Sequence, residues 1–191
     1  MKRIIMLVLV LSASFSNAQA FKGKGDVKGQ VGLNVQSGGT GITVTSDFGI
    51  GENMSYGFTA TYLLNVPNIT NRIDETQFLI DNPNYDPIIN GTIPQTTTIT
   101  PNFFDRIDLK ARFNANIGNV FKLDPKMDVY PGLDLGLRNF GGHVGFRYFF
   151  TDGFGIYAEG GFPLAKYKTN LTDFDYMNNQ FVFHLGASFN L

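Results

Sequence analysis

Two histidines, His143 and His184, with sixteen acidic and fifteen basic residues, are the chain's stock for acid–base or nucleophilic chemistry. A hydroxyl nucleophile needs a base within hydrogen-bond reach. His184 and Ser188 share one face of an alternating segment, but four residues of extended chain hold them about 13 Å apart. No His-x-Ser sequence occurs. Cysteine is absent, which removes disulfides, thiolate metal sites, a catalytic thiol and an acylated N-terminal cysteine. Asp173-x-Asp175 lacks the other positions of a calcium loop. The residues point to no catalytic group, metal or cofactor, and the chain is expected not to be an enzyme.

The charges themselves are patterned. From Asp105 to Gly118 the sequence reads D-R-I-D-L-K-A-R-F-N-A-N-I-G. Ile107, Leu109, Ala111, Phe113, Ala115 and Ile117 fall on one face; Arg106, Asp108, Lys110, Arg112, Asn114 and Asn116 fall on the other. Side chains alternate across a strand, so this is a strand with one oily and one ionic side. Similar alternation recurs near 26–35, 41–50, 54–65, 127–138, 143–150, 154–164 and 180–191, which gives eight strands. Their polar faces collect Lys28, Asp47, Arg106, Asp108, Lys110, Arg112, Asp128, Asp134, Arg138, Arg147 and Glu159. The two signs nearly balance. Unpaired buried charge is costly, so these side chains are expected to pair across a narrow interior and plug it.

The oily faces hold too much volume to point inward. Phe48, Tyr56, Phe58, Tyr62, Phe113, Phe146, Tyr148, Phe150, Phe162, Phe181, Phe183 and Phe189 would overfill an eight-stranded barrel. The polar faces hold many glycines, as a cramped lumen requires. An all-β, eight-stranded antiparallel transmembrane up-and-down β-barrel follows, in one domain over 21–191, with acyl chains outside. Pro131 cannot donate to a ladder and is expected to mark a bulge or local break.

The first twenty residues read as an export signal. Lys2 and Arg3 precede a short apolar run, and Ala18-Gln19-Ala20 fits the small-x-small cleavage rule after Ala20, with Ala18 as a second site. Without Lys2 and Arg3 the net charge is about −3, which does not favour a nucleic-acid partner. The longest connections, 66–101 and 165–179, are polar and follow odd-numbered segments. Tight turns at 51–53 and 151–153 follow even ones. Outer-membrane barrels have short periplasmic turns and longer external loops, which would leave both termini periplasmic. The start Lys22-Gly-Lys24 is expected to be a frayed tail.

The last segment, Phe181-x-Phe183-x-Leu185-x-Ala187-x-Phe189-x-Leu191, is similar to the C-terminal signal read by the barrel assembly machinery. With the eight-segment pattern before it, the chain resembles the small outer-membrane proteins of the OmpA, OmpX and OmpW type in Gram-negative bacteria. The family pattern usually ends in an aromatic residue; here the end is Leu191. The resemblance implies an outer-membrane location, contact with outer-membrane lipid and docking on the assembly machinery. It leaves three roles open. One is a non-enzymatic structural, adhesive or protective barrel with a possible surface ligand at its loops. The others are a narrow channel or transporter for small or apolar solutes, and an outer-leaflet lipid-modifying enzyme using a histidine.

Overall fold

The computed structural model describes residues 19–168 and 173–191, and for Pro87 and Asp173 only the backbone. The expected leader therefore lies, up to position 18, outside the described residues. The strands are β1 (Val27–Gln36), β2 (Gly39–Gly49), β3 (Met54–Asn65), β4 (Ile69–Arg72), β5 (Thr96–Ile99), β6 (Ile107–Ala115), β7 (Met127–Gly136), β8 (Asn139–Phe149), β9 (Phe154–Lys166) and β10 (Val182–Asn190). Eight of them close a barrel in the order β1-β2-β3-β6-β7-β8-β9-β10, each antiparallel to its neighbours. β10 returns to β1 in unbroken register from Lys28↔Asn190 to Gln36↔Val182, so no barrel strand has a free edge. The expected fold class is the observed one. β4 and β5 pair only with each other.

The alternation of residue types decides which way each face points. Leu33, Phe58 and Leu135 turn outward and are each about three-fifths exposed, while Lys28, Gln30 and Arg147 turn inward and have almost no exposure. A water-soluble barrel would show the opposite arrangement.

Pro131 carries the expected local break but no bulge. The β7–β8 ladder runs straight through Pro131↔Val144. Pairing with β6 instead stops at Asn114↔Gly132, and contact resumes where Ile117 donates to the Val129 carbonyl at 2.9 Å. The break lies on one side only. The register shifts occur elsewhere, at Thr40/Gly41 and Phe140/Gly141.

The connection between β3 and β6 is more ordered than a plain polar loop. It carries the β4–β5 ribbon, α1 (Glu75–Asp81), α2 (Pro87–Asn90) and α3 (Phe103–Arg106). Asp74 caps α1 by accepting from the Thr76 and Gln77 amides, and Asn102 with Asp105 forms a capping box on α3. α4 (Asp173–Met177) lies between β9 and β10.

The segment before β1 is packed rather than frayed. The Ala20 amide donates to the Pro125 carbonyl at 2.7 Å, and its methyl is buried against Phe149. The Lys22 amide donates to Asp26 at 3.1 Å. Gly25, at φ +87°, takes a left-handed conformation that suits glycine while its amide reaches the Gly49 carbonyl.

Candidate functional site in the barrel lumen

Facing side chains of β2, β3, β6, β7, β8, β9 and β10 converge on Arg112. Its Nη2 donates to Glu159 Oε2 at 2.7 Å, and its Nη1 donates to Thr59 Oγ1 at 3.2 Å. Its Nε lies 3.2 Å from Asn114 Oδ1 and 3.4 Å from Asp47. Glu159 is also 3.5 Å from His184 Nδ1, and the other nitrogen of that ring meets Asn34 Oδ1 at 3.0 Å.

His143 extends the network. Its Nδ1 is 3.0 Å from Asp134, and its Nε2 is 2.7 Å from Arg112 Nη2. The same Nε2 lies 2.8 Å from Asn114 Oδ1, so this ring nitrogen is enclosed by a guanidinium and a side-chain amide.

Arg147 anchors a second group toward the turn end. It donates to Asp128 Oδ2 through Nε at 3.2 Å and to Asn116 Oδ1 through Nη2 at 2.6 Å. The Tyr130 ring lies between the two guanidiniums, 4.2 Å from Arg147 Cζ and 5.8 Å from Arg112 Cζ. Such cation–π contacts are worth more when desolvated, up to roughly 2 kcal/mol each. Tyr130 faces Gly145 across the strand pair, and a Cβ on Gly145 would overlap the phenol ring. The glycine is what lets a tyrosine lie flat in so narrow a tube. Nearer the turns, Lys28 pairs with Asp26 at 2.5 Å and sits 5.3 Å from the Phe149 ring.

Seven of the eleven charges named from the sequence are in these groups; Asp108 and Lys110 pair with each other at 3.5 Å nearer the loops. Arg106 and Arg138 do not join. Arg106 is the last residue of α3 and donates to the Leu64 carbonyl at 3.3 Å. Arg138 stands in the β7–β8 turn, 3.4 Å from Asp175 and bonded to the Phe104 carbonyl. Both belong to the rim, because strand alternation ends before them. Asp26, Tyr130, His143 and His184 are network members that a count of strand charges passes over.

α4 lies across the loop end. Phe174 and Met177 are buried against Leu63 and Val66. Polar bonds fasten its flanks: Gln36 to the Met177 carbonyl at 2.7 Å, Asn139 to the Asn178 carbonyl at 2.8 Å, and Asn178 to the Asp105 carbonyl at 2.8 Å. Beneath it Thr61, Asp108, Asp134, Glu159 and His184 surround a void of about 20 Å³, enough for a water molecule. Among the described residues no group of His, Asp and Glu is arranged to hold a metal ion.

A search of curated proteins finds no match. Among solved structures, one titled "De novo design of transmembrane beta-barrels" is similar at 7% identity and TM-score 0.51, over 89% of this chain and 98% of that one. Outer Membrane Protein G from Pseudomonas aeruginosa is similar at 11% identity and TM-score 0.41, over 90% of this chain and 99% of the other. At such identity the likeness to the designed barrel speaks for the fold alone. The model of the Family of unknown function (DUF6646) matches residues 11–80 and 84–191, and the chain belongs to that family.

Proposed function

We propose that this member of the family is an integral outer-membrane β-barrel without enzymatic activity. Its lumen is closed by the charged network, and its role is structural, adhesive or protective through the segment that links β3 to β6 outside the cell. The observation that carries this reading is the inverted distribution of side chains, with ions inside and large apolar groups outside. The closed ladder supports it, since a strand can cross hydrocarbon only if no backbone group is left unpaired.

Aromatic groups stand at both margins of the apolar band, as at a lipid–water boundary. Phe48 stacks on Tyr56 at 5.4 Å, and Tyr148, Phe150, Phe154 and Phe189 form a chain of ring contacts at the turn end. Tyr62, Phe103 and Phe104 do the same at the loop end. The similar designed barrel is, by its title, a transmembrane one. Export through the inner membrane, termini on the periplasmic side and recognition of β10 by the assembly machinery complete the reading.

Closure is supported by Tyr130, Arg112 and Arg147, whose side chains meet near the middle of the lumen. Planar-bilayer recording tests it: purified protein should give no steady open channel, and a stable large conductance would overturn closure. A narrow transporter is the second reading, favoured by the void under α4. It requires that Arg112→Gln change solute uptake while the barrel still folds. A lipid-modifying role has no comparable support, because His143 faces the lumen and its Nε2 is engaged by Arg112.

A further inference from the structure

The sequence offers two places to cut the leader, after Ala18 or after Ala20, and each obeys the small-x-small rule. The fold treats the intervening residues unequally. Ala20 is completely buried, its methyl packs on Phe149, and its amide satisfies the Pro125 carbonyl in the β6–β7 connection. Gln19 is exposed; its carbonyl accepts from Asn190 Nδ2 at 3.4 Å, and its side-chain Nε2 donates to the Phe21 carbonyl at 3.0 Å.

We propose that processing cuts the Ala18–Gln19 bond and that Gln19 begins the mature chain. This rests on the export reading given above. Hydrolysis adds one water: Ala18 leaves on the leader as a carboxylate and Gln19 keeps the amine. Residues 19–25 then remain as a strap that crosses the turn end and covers Phe149, beside the Lys28–Asp26 pair. A cut after Ala20 would remove the methyl that packs on the Phe149 ring and leave the Pro125 carbonyl without its donor. Ser16 and Ala18 occupy the two small-residue positions for the proposed cut, whereas the rejected cut relies on Ala18 and Ala20.

The test is the intact mass and N-terminal peptide of full-length protein expressed with its leader and recovered from outer membranes. The expected chain starts at Gln19, either with a free amine or one ammonia lighter where that amine has closed on its own side-chain amide. A chain starting at Phe21 overturns the proposal and leaves export standing; an uncut leader overturns both. Two variants separate the sites by processed fraction alone, whatever they do to folding. Ser16→Leu should block or divert the cut, and Ala20→Val should leave it in place. The reverse pattern overturns the proposal.

Discussion

Within the barrel a single guanidinium, that of Arg112, reaches Glu159, His143, Thr59 and Asp47 on four other strands and Asn114 on its own. In the segment between β3 and β6 the polar bonds mostly close within a few residues: Asp74 onto its own helix, Gln77 to Asp81 at 2.9 Å, Tyr85 to the Gly91 carbonyl at 2.8 Å. The apolar groups differ as well. Outside the strands Ile88 is 94% and Ile89 80% exposed, far from any core. One region is over-determined by long-range contacts, so each residue is held by many others. The other is held locally and presents its side chains outward, as surface recognition would require.

The sharpest way to break this contrast is to remove one partner of the buried pair. Glu159→Leu removes the closer of the two carboxylates that face Arg112 and should lower stability by about 3–5 kcal/mol. In a double-mutant cycle with Arg112→Met much of that loss should disappear; equilibrium unfolding from lipid vesicles measures both. Additive losses would mean that the two side chains do not interact.

Next in size is the outward face. Phe58→Arg should cost roughly 2–4 kcal/mol near the bilayer midplane, whereas the same change at Ile88 should cost almost nothing. Gly145→Val drives a side chain into the Tyr130 ring and should cost about 1–3 kcal/mol. Tyr130→Ala removes the ring instead, and single-channel recording should then show openings absent from the parent. The smallest effect belongs to the external segment: Ile88→Ser should change stability by less than about 0.5 kcal/mol. A larger loss would show that the segment is packed on the barrel after all.

The barrel was legible because period-two alternation is a local signal. Eight segments carry it, and β6 carries it without interruption. The interior was legible as a set of charges but not as a network. Tyr130 and the two histidines join it through neighbours on other strands, and sequence spacing does not show such contacts. α4 escaped notice for the same reason. Phe174 and Met177, three residues apart in a polar stretch, were the only hint of a buried helical face, and their contacts with Leu63 and Val66 span more than a hundred residues. The β4–β5 ribbon is exposed on both faces, so it shows no apolar alternation to read. The strap at 19–25 depends on Pro125 and Phe149, which lie far away in the chain.

The orientation of the two faces is tested most directly by spin labelling, which the lack of native cysteine makes clean. A nitroxide is placed at Leu133 and, in a second protein, at its neighbour Asp134, with both barrels reconstituted into lipid vesicles. Oxygen dissolved in the acyl region should relax the label at Leu133 strongly and the label at Asp134 weakly. The opposite order would contradict an interior of ions wrapped in an apolar exterior.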